Sequence, residues 1–260
     1  MSASGRGSLV VLEAGGGVAT LTLNRPRKRN ALSSELVAAL SAGLDRAGDD
    51  PSTRVIALRG AGPDFCAGAD LSEIAASQRE GPEAGLADAR RLGEVFVRIR
   101  GIDRPVVAIV QGRALGGGCG LATACDIVLA QENAVFGYPE VHLGFVPALV
   151  MAPLRRKVRE AAAFELVAQG HRIGASEAAD LGLATRVLPE EGFDAAAAEY
   201  LRELASRPAT AVALAKRLFH GFEGVAFEDA VARGAEVNAM ARLTEECREG
   251  VKRFLNRKDD

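Results

Sequence analysis

The stretch from Pro105 to Asp126 constrains this chain more than any other. Val106-Val107-Ala108-Ile109-Val110 is a short, continuous apolar run, the pattern of a strand buried on both faces. Gly112-Arg113-Ala114-Leu115-Gly116-Gly117-Gly118-Cys119-Gly120-Leu121-Ala122-Thr123-Ala124-Cys125-Asp126 follows, ending in an Ala/Leu-rich turn of helix. A strand, a glycine loop and a helix N-terminus together aim backbone N–H groups and a helix dipole at an anion. Glycines also permit plain close packing of strand on helix, and on this segment alone both readings stand.

The rest of the chain supplies the layers such a strand needs. Residues 9–12 and 18–23 are β-rich runs around Gly15-Gly16-Gly17, which reads as a hairpin turn. A loop, Asn24 to Asn30, leads to a helix capped by Ser33 or Ser34, with Leu36, Leu40 and Leu44 on one face. A strand at 55–58 precedes a loop rich in Gly, Pro and Asp from Gly60 to Asp70. The polar segment around 77–85 reads as flexible. Leu92, Phe96 and Ile99 then mark an amphipathic helix ending before Pro105. A further strand follows at 127–130. Strands alternating with helices imply an α/β core, here 1–193, with largely parallel strands. From 194 to 260 the signal is helical only, with breaks near Pro208 and Gly224.

Composition excludes several classes. With 32 Lys+Arg against 34 Asp+Glu, a net charge of −2 does not suit a dedicated nucleic-acid or acidic-membrane binder. No apolar run reaches the roughly 18 residues of a membrane span. The first eight residues lack the apolar core of a secretory signal and read as a short disordered tail. Cys66, Cys119, Cys125 and Cys247 form no CxxC pair, which suits a reducing cytoplasm.

Elimination narrows the chemistry. The glycines at 112–120 miss the GxGxxG spacing, and no Gly-Lys-Ser/Thr follows them. No GxSxG elbow occurs. His142, His171 and His220 make neither HExxH nor any short paired ligand spacing, so no zinc site is expected. A second segment, Gly60-Ala61-Gly62-Pro63-Asp64-Phe65-Cys66-Ala67-Gly68-Ala69-Asp70-Leu71, also follows a strand and precedes a helix. Two loops presenting free N–H groups after strands are what an oxyanion hole requires. A third, Phe136 to Gly144, offers the carboxylate of Glu140.

At these segments the chain resembles the crotonase superfamily, the enoyl-CoA hydratase/isomerase family. The matching pieces are Asn24-Arg25-Pro26 with Asn30-Ala31-Leu32, Phe65 to Leu71, Gly112 to Asp126, Phe136 to Gly144, and Ala178 to Leu183 followed by Val187. They run in order from about Leu9 to Lys258. The resemblance implies a spiral of ββα turns and a C-terminal helical region that builds homotrimers or hexamers, as dimers of trimers. It implies no metal and no separate cofactor, CoA being part of the substrate, and an acyl-CoA thioester whose carbonyl oxygen sits between the N–H groups of Ala69 and Gly117. It makes Ala67, Asp70, Leu71 and Gly116, in the same two loops, binding residues for the CoA thioester. The family's later glutamate matches Glu140, whereas the earlier one falls on Gly120. One carboxylate suffices to lift a proton from C2 and return it to C4, so Δ3-to-Δ2 isomerisation is the favoured reaction on mechanism. The alternatives are hydration of a straight-chain or methylglutaconyl-type enoyl-CoA, and a catalytically weak acyl-CoA-binding subunit.

Each residue also has a plainer reading. Glu140 by composition alone is a surface acid, whereas the resemblance makes it the base of the site. Asp70 and Asp126 read as capping or loop-fixing carboxylates, His142 as a packed or surface loop histidine, and Cys66 and Cys119 as apolar fillers. Arg25, Arg27, Lys28 and Arg29 form either a solvated loop or a grip on the CoA phosphates. The resemblance favours contact by some of them, and an RNA-binding role is opposed by charge and by the lack of interleaved aromatics. Phe254, Arg257 and Lys258 match positions that approach CoA from a neighbouring subunit, or else form a solvated tail.

Overall fold

The computed structural model describes residues 7–256. Most of the expected N-terminal tail, and Arg257 and Lys258, fall outside the described residues. β1 (Val10–Gly15) and β2 (Val18–Leu23) form the expected hairpin, paired antiparallel from Val10 with Leu23 to Gly15 with Val18. Gly16 and Gly17 turn it at φ 59° and 81°, where side chains are disfavoured. A 3₁₀ turn, Pro26–Lys28, leads to α1 (Ser34–Asp49). Ser33 caps this helix by accepting from the Leu36 amide at 3.2 Å. Leu36, Leu40 and Leu44 are all fully buried, as their spacing predicts.

β3 (Val55–Gly60), α2 (Leu71–Glu80) and α3 (Pro82–Gly101) come next. Here the structure corrects the reading of 77–85 as a flexible stretch. The segment is helical apart from a break at Gly81, where φ is 100°. α2 opens with Leu71, Ile74 and Ala75 at helical spacing but is polar from Ser77 to Glu80, so its last turn has no apolar residue to show it. Pro82 then opens α3 at a helix start, where its missing N–H costs nothing.

β4 (Val106–Val110) is buried at every position. β5 (Arg113–Leu115), α4 (Gly117–Ala124), β6 (Ile127–Gln131) and β7 (Val135–Gly137) follow. A 3₁₀ turn at Pro139–Leu143 leads to α5 (Met151–Lys157) and α6 (Glu160–Gln169), then β8 (Arg172–Gly174), α7 (Ala175–Asp180) and β9 (Arg186–Leu188). The main sheet has the order β1-β2-β3-β4-β6-β9, and every pairing beyond the hairpin is parallel. A smaller sheet, β5-β7-β8, stands apart from it.

Both faces of the main sheet are covered, which explains the unbroken apolar run of β4. Ile56, Leu58, Val106 and Ala108 pack with Leu36, Leu40 and Leu44 on one side. Val55, Ala57, Val107 and Ile109 meet Phe193, Ala197 and Leu201 of α8 (Phe193–Ala205) on the other. α9 (Ala209–Gly221), α10 (Phe227–Ala241) and α11 (Glu245–Asn256) complete the helical region.

Asp126 fixes α9 to the core, in keeping with its reading as a loop-fixing acid. Its carboxylate accepts from the Val106 amide and from Lys216 Nζ, both at 2.7 Å, and lies 2.7 Å from His220 Nε2. Burial pushes the Asp126 pKa up, but His220 and Lys216 outweigh it and hold the group below its ordinary range. Lys216 also donates to the carbonyls of Ile99 and Arg104. Among the described residues no helix is long and apolar enough to cross a membrane.

Candidate active site

The site lies where β3 and β4 release their C-terminal loops. The 60–70 loop runs beside β5, and Asp64 fastens it there. Asp64 accepts from the Arg113 amide at 3.1 Å and from that guanidinium at 2.7 and 2.9 Å. The Cys66 amide donates to Arg113 O, and the Leu115 amide donates to Cys66 O. Gly68 comes so close to β5 that a β-carbon there would lie 2.8 Å from Leu115 O, and its φ is 97°. Only glycine fits that position.

Asn30, fully buried, ties the same loop to the basic one. Its Nδ2 donates to the carbonyls of Ala61 at 2.9 Å, Asp64 at 2.8 Å and Phe65 at 3.2 Å, while its Oδ1 accepts from the Arg25 amide. The Ala67 amide donates to Arg29 O.

These constraints bring the Ala69 and Gly117 amides together. A β-carbon on Gly117 would lie 3.9 Å from the Ala69 nitrogen, and one on Gly68 would lie 3.6 Å from the Gly117 nitrogen. Among the described residues neither amide donates a hydrogen bond. Gly117 is the first residue of α4, so its N–H is one of those a helix start leaves unpaired. Two such donors can stabilise an oxyanion between them, and losing one typically costs ~10²–10³ in rate.

Glu140 lies on the 3₁₀ turn after β7, against Gly116, the residue before Gly117. Its Oε1 stands 2.9 Å from where a β-carbon on Gly116 would be, so the carboxylate rests over a bare backbone. Its Oε2 is buried without a hydrogen-bond partner. Burial raises the Glu140 pKa above the ordinary carboxylate value. Asp70 has the opposite environment. It caps α2, accepting from Ser72 N and Oγ, and pairs with Arg25 at 3.0 Å. Those hydrogen bonds, Ser72 first, lower its pKa.

Burial pushes the thiols of Cys66 and Cys119 up to about 12 and about 11, so both stay protonated at neutral pH. His142 Nε2 lies 3.1 Å from Gly170 O, on the exposed side of its turn. Ala67 and Leu71 flank the Ala69 amide, Leu71 being 58% exposed. Arg27 and Lys28 are exposed on the neighbouring turn. Among the described residues no three His, Cys, Asp or Glu side chains are grouped to hold a metal ion.

The enoyl-CoA hydratase/isomerase family model matches residues 13–260. The chain belongs to this family. The 2,3-dehydroadipyl-CoA hydratase of Escherichia coli is 36% identical over 93% of this chain and 93% of its own length. The short-chain-enoyl-CoA hydratase of Clostridium acetobutylicum is 32% identical over 96% and 95%. A solved enoyl-CoA hydratase from Mycobacterium smegmatis superposes with a TM-score of 0.91 at 32% identity, over 96% of each chain. The fold is therefore the crotonase fold, and the chain is an enzyme of the enoyl-CoA hydratase/isomerase family.

Gly120, on which the resemblance places the family's earlier glutamate, is tightly packed. A β-carbon there would lie 2.2 Å from Val150 Cγ1, 2.8 Å from Val150 Cβ and 3.2 Å from Phe96 Cζ. The space into which an acid at 120 would project is filled by two apolar side chains. Sequence reasoning missed this pair, because Val150 is thirty residues away and carries no local signal. Phe254 is described on α11, 62% exposed. That helix is anchored by Glu246, which pairs with Arg54 just before β3, at the end of the strand opposite the 60–70 loop. Arg257 falls outside the described residues.

Proposed function

We propose that this enzyme hydrates a 2-enoyl-CoA thioester with one carboxylate, Glu140, as the proton carrier. The observation behind this reading is a buried, unpartnered carboxylate oxygen against Gly116, next in sequence to Gly117, one of two adjacent backbone amides that donate to nothing. Water attacks C3 while its proton passes to Glu140. The C2=C3 pair moves toward the thioester oxygen, and the enolate is held by the Ala69 and Gly117 N–H groups. Glu140 then returns the proton to C2, so water has been added and the carboxylate is regenerated. A raised pKa suits a group that must both take and give that proton. The names of the relatives, all hydratases, support this reaction. Arg27 and Lys28 are the groups proposed to meet the CoA phosphates.

A second reading, Δ3-to-Δ2 isomerisation, is favoured by the apolar contact at Gly120, which leaves no second acid there. Glu140 would then carry a proton from C2 to C4. Assays with crotonyl-CoA and with a 3-enoyl-CoA separate the two. The expected result is 3-hydroxyacyl-CoA from crotonyl-CoA at the higher kcat/KM. Faster conversion of the 3-enoyl ester overturns hydration in favour of isomerisation, and binding without turnover of either marks an acyl-CoA-binding subunit.

We also propose a homotrimer or a hexamer of two trimers. α9 to α11 expose Phe219 at 79%, Phe227 at 78% and Leu243 at 67%, more apolar surface than a monomer ordinarily leaves in water. Sedimentation at micromolar concentration should give three or six chains, and a monomer there overturns the proposal. A cytoplasmic setting is part of the same reading, since all four cysteines are free thiols.

A further inference from the structure

The turn that carries Glu140 is joined to α4 at two points. At the front, the Gly116 amide donates to Gly137 O at 2.8 Å. At the back, the Tyr138 hydroxyl lies 3.0 Å from Thr123 Oγ1. Thr123 already donates its own proton to Cys119 O at 2.7 Å, so Tyr138 is the donor in that contact. Tyr138 is completely buried, and Thr123 nearly so. Downstream, the contact of His142 with Gly170 O holds the far end of the turn.

The His142 contact ties the turn to the end of α6 and not to α4, so on the α4 side the Gly137–Gly116 bond alone sets a distance but not an angle. The second attachment lies seven residues after Gly116, about 10 Å by the helical rise, and fixes that angle. α4 also carries the Gly117 N–H. The base and the oxyanion donor are thus referred to one rigid element.

We propose that Tyr138 is a positioning residue for Glu140, its hydroxyl bonded to Thr123 so that the Pro139–Glu140 turn is fixed relative to the Gly117 amide. This rests on Glu140 being the proton carrier. A phenylalanine would fill the same space, so the hydroxyl is the part with a role beyond packing. The titratable groups around Glu140 on the packed elements are Cys119 of α4 and Tyr138 itself. Both are protonated at neutral pH, so neither competes for its charge.

The test compares Tyr138→Phe with Thr123→Val, the double variant and Thr123→Ser in the full-length enzyme. Misplacing a reacting group by about 1 Å can cost 10²-fold. Each of the first two variants should therefore lose about tenfold to a hundredfold in kcat, with KM within about twofold. The double variant should lose no more than either single one, because both remove the same bond. Thr123→Ser, which keeps the hydroxyl, should restore the rate. The acid limb of the kcat–pH profile should move to lower pH in Tyr138→Phe, since a less confined Glu140 is better hydrated and more acidic. A merely structural role would lower thermal stability and the active fraction without moving that limb. Unchanged kcat and pH limb in Tyr138→Phe overturn the proposal while leaving Glu140 as the base. Should Tyr138→Phe fail to fold, equal rates for Thr123→Val and Thr123→Ser overturn it instead. Near-normal turnover by Glu140→Gln is a separate result, and it removes the reading on which the proposal rests.

Discussion

Glu140→Gln should fold normally and lose at least ~10²–10⁴ in turnover, the usual worth of a positioned acid–base group. The amide keeps the size and shape of the carboxylate but cannot accept and return a proton. Stability should move the other way. A buried carboxylate oxygen with no partner costs folding free energy when ionised, and a neutral amide in its place costs less. Thermal stability should therefore be equal to or above that of the parent while activity collapses. That opposition of signs is the trade-off expected where a group is retained for chemistry. Affinity for a non-reactive acyl-CoA should stay within a few-fold, because the Ala69 and Gly117 amides are untouched. Near-normal turnover on every ester the parent accepts would show the assigned base to be wrong. Asp70 is then a poor substitute, being already engaged by Ser72 and Arg25.

The second large effect is on stability. Replacing Gly120 even by alanine places a methyl group 2.2 Å from Val150 Cγ1 and 2.8 Å from its Cβ. Real contacts of that length do not occur, so α5 must move relative to α4. Overpacking of this kind costs about 1–3 kcal/mol. Gly120→Glu adds the burial of a carboxylate among Val150 and Phe96, which are 3% and 6% exposed, and should cost more than the alanine variant. Urea unfolding should give midpoints that fall in the order parent, Gly120→Ala, Gly120→Glu. A midpoint for Gly120→Ala equal to the parent's would mean that α5 yields freely and the packing argument fails. Loss of activity in Gly120→Glu is uninformative about mechanism for the same reason.

Much of this architecture was legible in the residues, for identifiable reasons. β4 declared itself because a strand covered on both faces must be apolar throughout, and Ser33 declared α1 because a hydroxyl at a helix start has a partner to find. Asp70 is the capping carboxylate that its place before a helix predicts. Three features were not legible. The small sheet is built of three-residue strands, too short to establish an alternating period. The helix expected after Asp70 could not be followed through 77–85, because Ser77 to Glu80 at the end of α2 carry no apolar residue. The contacts of Gly120 with Val150 and of Tyr138 with Thr123 depend on how helices dock, and local sequence does not encode that. Glu140 is a different case, since composition favours an exposed acid and only the family resemblance singled it out.

Asn30 has a consequence for how this molecule fluctuates. Its single amide group binds three carbonyls of the 60–70 loop, while its oxygen holds the backbone of the basic turn at Arg25. Local openings of folded proteins follow such shared bonds and occur as contiguous units. The 25–30 turn and the loop bearing Ala69 are therefore parts of one opening unit: when either comes away from the core, the Asn30 bonds break and the other loses its anchor. An anion that settles on the exposed arginines and lysine of that turn damps the motion of a backbone amide it never touches.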